Sequence, residues 1–153
     1  MKILDILLRD AVIVDLKATS KREVLEEICT AVAAAEPAAS KAKLVEVLAE
    51  RERLQSTGIG EGVAIPHGKV AGLPRLMAAF AKSRAGVDFD SVDGQKTHLF
   101  FLLVMPENAG GQHLKALARI SRSLRDPGFR RAVESAATRE DVLRAIEHED
   151  AKF

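Results

Sequence analysis

The chain has 153 residues, with 23 Lys plus Arg against 22 Asp plus Glu and a formal charge of +1. Length suits one compact domain over residues 1–153, and the balanced charge, with no basic arm, argues against DNA, RNA or an anionic membrane surface as partner. Trp and Tyr are absent, which removes the best base-stacking side chains and leaves an aliphatic core of Leu, Val, Ile and Ala. Cys29 is the single cysteine, so no disulfide can form within the chain and a Cys-based zinc site is not expected. It stands among Val24, Leu25, Ile28 and Val32 at helical spacing and reads as a small core residue. The opening MKILDILL is too short and too interrupted for a signal peptide, and no apolar run approaches the ~20 residues of a membrane span. The cytoplasm is the expected setting.

In chain order, Val12-Ile13-Val14-Asp15-Leu16 predicts a first short strand. Ser20-Lys21-Arg22-Glu23 matches a capping box and predicts a helix to about Ala35, near Pro37. Ser40 caps a second helix with Leu44, Val47 and Leu48 on its buried side, running to Arg51-Glu52-Arg53 and giving way at Ser56-Thr57-Gly58. The middle of the chain predicts strands at Val63–Ile65, Leu76–Ala81 and Leu99–Met105, with Asp93-Gly94 as a hairpin-type turn. The last of these strands is apolar throughout, as a central strand covered on both faces requires, and Pro106 ends it. Leu114, Leu117, Ser121 and Leu124 follow helix spacing, Asp126-Pro127-Gly128 breaks that helix, and Thr138 opens a final one through Ile146. Arg119, Arg122 and Arg125 are expected to form a solvated helix face. Helices at both ends around a strand-rich middle predict a three-layer α/β/α sandwich with a mixed sheet.

The chemistry concentrates in Gly58–Lys69, GIGEGVAIPHGK. Pro66 has no N–H and cannot donate to a ladder, so His67 is expected just past the carboxyl end of a strand, where open α/β sheets build their sites. Gly68 lets another group approach the main chain closely. The competing reading is a loop histidine that bonds only the backbone. His113 follows Gly110-Gly111 at the start of a predicted helix, where free N–H groups favour anions. Brought together, one imidazole can attack phosphorus and the other can donate to the phosphoryl oxygens. Arg51 is the candidate fixed positive charge, or else an exposed helix-end arginine. A two-histidine metal site completed by Glu61 or Glu107 is the alternative use of the same residues, although the spacing matches no local zinc motif. An ATP loop is rejected, because no Gly-Lys-Ser/Thr follows and a strand comes next. His98 reads as structural and His148 as solvated.

Arg51-Glu52, Ser56-Thr57-Gly58-Ile59-Gly60 and Ala64-Ile65-Pro66-His67-Gly68 resemble the signature of the type 2 enzyme IIA domains of the bacterial phosphoenolpyruvate-dependent phosphotransferase system. Gln112-His113-Leu114 resembles that family's second histidine segment, and Leu102–Pro106 the strand before it. The resemblance implies a mixed sheet with helices on both sides. It implies phosphorylation of His67 on Nε2, a supporting role for His113, a nearby Arg51, and a substrate-binding frame made by Ser56, Thr57 and Gly68. It implies an HPr-type phosphocarrier as donor, and either regulated target proteins or a IIB domain as acceptor. No cofactor, nucleotide or metal is implied for the transfer. The length leaves no room for a fused IIB domain or transporter, and the Val14–Lys21 segment looks most like the nitrogen-regulatory branch. A stand-alone fructose- or mannitol-type IIA that passes phosphate to a IIB domain is the alternative.

Overall fold

A computed structural model describes residues 1–152. Its elements are Ile3–Ile6 (α1), Leu7–Ile13 (β1), Lys21–Ala35 (α2), Lys41–Leu54 (α3), Gly58–Gly60 (β2), Val63–Ala64 (β3), His67–Lys69 (β4), Met77–Val87 (β5), Thr97–Met105 (β6), Gln112–Ser123 (α4), Pro127–Ser135 (α5) and Arg139–Asp150 (α6). Among the described residues the strands form one mixed sheet in the order β1-β5-β6-β3-β2, and β4 also pairs with β6. β6 is its centre. It runs antiparallel to β5 along one edge, and its other edge is shared in sequence by β3 and then β4, both parallel to it.

The uninterrupted apolar run of β6 divides by the period of a strand. Phe100, Leu102 and Val104 enter one core, with the buried stripes of α2 and α3. Leu99, Phe101, Leu103 and Met105 enter the other, with Ile3 and the buried residues of α4, α5 and α6. Alternate side chains of a strand face opposite sides of a sheet, so a strand buried on both faces has no polar register. Each core carries one edge-to-face phenylalanine pair, Phe89–Phe100 at 5.3 Å and Phe80–Phe101 at 5.1 Å between ring centroids. This is the expected three-layer α/β/α sandwich.

The helix starts fall where their caps require. The Ser20, Ser40 and Thr138 side chains accept from the backbone N–H groups of Glu23, Lys43 and Asp141. Several boundaries differ from the sequence reading; β5 runs to Val87 rather than Ala81 and α6 to Asp150 rather than Ile146. The first strand is Leu7–Ile13 rather than Val12–Leu16: Arg9 and Asp10 point outward together at a register shift, and this hides its alternation. Asp126-Pro127-Gly128 ends α4 as expected, but it also starts α5, with Asp126 accepting from Gly128 N–H and Pro127 in the first turn. Asp93-Gly94 forms a turn, with Gly94 N–H donating to Ser91 C=O at 2.9 Å, inside a longer connection between β5 and β6 rather than a two-residue hairpin.

Arg119 is also corrected. It does not lie on a solvated face with the exposed Arg122 and Arg125; it pairs with the buried Asp150 at 3.0 Å. Asp150 also accepts from the N–H groups of Ile3 and Leu4, at 2.8 and 3.0 Å, and so ties both chain ends to α4. Cys29 is fully buried, which pushes its thiol up to about 12, in keeping with a core role.

Candidate functional site

The glycines of GIGEG make the turn from β2 to β3. Gly60, Glu61 and Gly62 have φ values of 97°, 56° and 79°, a left-handed run that two of the three residues adopt at no steric cost. Glu61 is held there by donating its N–H to Asp93 at 2.9 Å while its carbonyl accepts from Arg130.

After β3 the chain passes Ile65 and Pro66 and resumes pairing. His67 lies beyond the end of β3, but it is also the first residue of β4, opposite Leu103 of β6. The proline does not end the ladder: it lacks a donor, yet its carbonyl accepts from Leu103 N–H at 2.9 Å. The site therefore sits where β3 ends and β4 begins, beside the last residues of β6. Gly68 has the role expected of it. A Cβ there would stand 2.8 Å from Val47 Cγ1 of α3, a distance real Cβ atoms essentially never show.

His67 is half-buried, and its Nδ1 lies 2.7 Å from Ile65 C=O. A carbonyl only accepts, so Nδ1 carries the proton and, in the neutral ring, Nε2 carries the lone pair. Burial lowers the proton affinity of the ring below its ordinary 6.5; the Ile65 carbonyl and Glu52 oppose this, while the charges of Arg51 and His113 add to it. Arg51 and His113, both predicted from sequence, are thus near enough for their charges to act on the His67 ring.

His113 stands in the first turn of α4, half-buried after Gly110 and Gly111, and its buried Nδ1 has no hydrogen-bond partner among the described residues. Arg51 donates to Gln55 C=O at 2.8 Å, closing the end of α3. Ser56 donates its hydroxyl to Phe89 C=O at 2.7 Å and accepts from Gly58 N–H at 3.0 Å. The buried Thr57 hydroxyl is bonded to Glu52. Both hydroxyls are thus engaged in fixing the turn before β2. His98 bonds Ser83 C=O at 2.9 Å and His148 is exposed, as expected of a structural and a solvated residue. No cluster of three or more His, Cys, Asp or Glu side chains suited to a metal ion occurs among the described residues. No described helix is long and apolar enough to cross a membrane.

Glu52 is the residue that the sequence reading named but did not use. Leu44 and Leu48 define a buried stripe with a period of four, and position 52 continues it. An acidic side chain on that stripe is the signal. Two clefts lie elsewhere, one lined by Lys82, His98 and Glu134 and another by Ile59, Val92 and Arg125. The histidine pair lines neither.

Residues 5–149 match the family model described as phosphoenolpyruvate-dependent sugar phosphotransferase system, EIIA 2. A nitrogen regulatory protein of Bradyrhizobium diazoefficiens is 47% identical over 127 residues, covering 82% of each chain. The fructose-specific EIIABC component of Bacillus subtilis is 34% identical over 150 residues, covering 98% of this chain and 24% of that one. The crystal structure of nitrogen regulatory protein IIA-Ntr from Neisseria meningitidis superposes with a TM-score of 0.85 at 34% identity, covering 93% of this chain and 97% of that one. A family match over nearly the whole chain, joined to this fold, shows that the chain belongs to the EIIA type 2 family of the phosphoenolpyruvate-dependent phosphotransferase system.

Proposed function

We propose that the chain accepts a phosphoryl group on Nε2 of His67 from the phosphohistidine of an HPr-type carrier and acts as a regulator of the nitrogen-regulatory kind. Family membership makes it a phosphoryl-carrying component of a transferase system that exchanges phosphoryl groups with its protein partners. We take residues 1–153 as one such domain and the cytoplasm as its setting. The observation that carries the reading is the 2.7 Å bond from His67 Nδ1–H to Ile65 C=O. It fixes the tautomer whose Nε2 lone pair is the nucleophile. As the Nε2–P bond forms, the donor's N–P bond breaks and its electron pair stays on the donor ring. The His67 ring gains positive charge while Ile65 C=O keeps accepting from Nδ1–H. His113 and Arg51 offset the phosphoryl charge, and positioning with charge stabilisation is most of what this chemistry needs.

The nitrogen-regulatory reading is supported by the Bradyrhizobium and Neisseria likenesses. A phosphoryl group adds about two negative charges near pH 7. A partner that buries the site then distinguishes the two states by about 1–3 kcal/mol. The likeness to the fructose-specific component supports a second reading, a IIA unit that hands phosphate to a IIB domain.

Incubation with phosphoenolpyruvate, enzyme I and an HPr-type carrier is expected to add one acid-labile phosphate to the wild type and none to His67→Ala. Phosphate on the variant would overturn the assignment. Partner capture with phosphorylated and unphosphorylated protein separates the two readings. State-dependent partners favour regulation; identical partners with rapid transfer to a fructose-type IIB favour sugar uptake.

A further inference from the structure

We infer that Glu52 is a positioning residue that sets the His67 imidazole through the main chain, an inference that rests on the reading of His67 as phosphoryl acceptor. Its carboxylate accepts from Thr57 N–H at 3.1 and 3.2 Å and bonds the Thr57 hydroxyl. Thr57 C=O accepts from Ile65 N–H at 3.1 Å. Ile65 C=O accepts from His67 Nδ1–H at 2.7 Å. The path runs from a buried carboxylate, through two backbone residues, to the ring that reacts.

The charge placement shows that Glu52 does not serve its own helix. It lies in the last turn of α3, the negative end of a helix, and is only 7% exposed. Both features disfavour a carboxylate. Its counter-ion, Lys21 at 2.8 Å, is the first residue of α2, the positive end of a helix, where a cation is equally misplaced. Each charge is unfavourable to its own helix and is matched by the other, with Asp90 and the Phe89 ring completing the surroundings of Lys21. Lys21 keeps the exposed Asp90 if Glu52 is lost, but the buried Thr57 N–H loses its acceptor, so what the Glu52 side chain fixes is Thr57.

Ser56 and Gly58 flank the pinned residue and make their own bonds to the loop after β5, so the turn is fixed on both sides. If Thr57 shifts, Ile65 loses its partner and the acceptor of His67 Nδ1–H moves with it. The ring is then free to exchange tautomers or turn, and fewer molecules present the Nε2 lone pair. Docking of a carrier does not involve a side chain as deeply buried as Glu52. The loss therefore falls on the transfer step rather than on association.

The experiment uses the full-length chain as Glu52→Gln, Glu52→Ala and Thr57→Val, with two readouts. The first is the imidazole nitrogen spectrum of unphosphorylated protein, which reports whether His67 Nδ1 holds its proton. The second is phosphoryl transfer from an HPr-type carrier, resolved into kcat and KM. Glu52→Ala is expected to lose the single Nδ1–H tautomer and to lower kcat on the order of tenfold or more, with KM within about twofold. Glu52→Gln, which keeps an acceptor for Thr57 N–H, is expected to restore the tautomer and most of the rate. Thr57→Val, which keeps the backbone N–H and the shape, is expected to retain the tautomer and serves if Glu52→Ala does not fold. A folded Glu52→Ala with the wild-type tautomer and rate would overturn the inference. So would a Thr57→Val or Glu52→Gln protein that loses the tautomer as completely as Glu52→Ala. The nitrogen spectrum needs no phosphoryl transfer, so it tests positioning even if another residue proves to be the acceptor.

Discussion

His67 and His113 are held by opposite means. His67 lies on a short strand pinned to β6 at both ends, by Leu103 N–H to Pro66 C=O at 2.9 Å and by Val70 N–H to Met105 C=O at 2.8 Å, and its ring is tied to Ile65. His113 follows two glycines at a helix start whose cap residue, Gly111, has no side chain, and its Nδ1 meets no partner among the described residues. The contrast matches the roles proposed for the two rings. A nucleophile needs one defined tautomer and a lone pair at one place. A supporting donor needs only to present a proton. With no acceptor facing Nδ1, the proton of a neutral His113 is best used on Nε2, where a phosphoryl oxygen can take it.

The largest expected effect that breaks this pairing is His113→Ala. Loss of one donor to a developing charge lowers transfer by about 10²-fold. The fold is expected to hold, since His113 is half-buried and outside both cores. Single-turnover transfer on a variant with unchanged circular dichroism measures this. An unchanged rate would return His113 to a purely structural role.

Gly68→Ala attacks the other half of the comparison, the anchoring of His67. The added Cβ meets Val47 Cγ1 at 2.8 Å, so β4 or α3 must shift. Overpacking of this kind costs about 1–3 kcal/mol, read by urea unfolding. Val47→Ala in the same chain is expected to recover part of that loss, a coupling that a double-mutant cycle reads directly. Full additivity would show that the 68–47 approach is not what holds the strand to the helix.

The smallest effect is in pH. Burial holds the proton affinity of His67 below 6.5, so transfer is expected to stay level as pH falls to 6.5 and to drop only below it. Stability has the same sign. The unfolded ring protonates first, so the contribution of neutral His67 is complete above 6.5 and is lost as pH falls from there through the lowered folded value. His113 is one of the charges that depress His67, so His113→Ala should move the midpoint of the rate profile slightly upward. A midpoint at or above 6.5 in the wild type would contradict burial as the dominant influence on the ring.

The sequence by itself determined much of this protein, because many of its signals are local. Ser20, Ser40 and Thr138 cap helices with their own neighbours, and the unbroken apolar run of Leu99–Met105 could only be a strand covered on both faces. Pro66, Gly68 and Gly110-Gly111 singled out His67 and His113, with Arg51 as the candidate charge, and family likeness added their roles. Tertiary structure decided what depends on partners distant in sequence. β1 was hidden because Arg9 and Asp10 interrupt its pattern at a register shift that only pairing with β5 makes tolerable. Arg119 left the solvated face because Asp150, 31 residues on, offered a buried carboxylate. Glu52 looked like one charge among arginines until folding brought Lys21 and Thr57 onto its carboxylate. Caps and alternation act over a few residues and can be read along the chain; a buried charge is tolerated only where remote groups meet it, and that meeting exists only in the folded molecule.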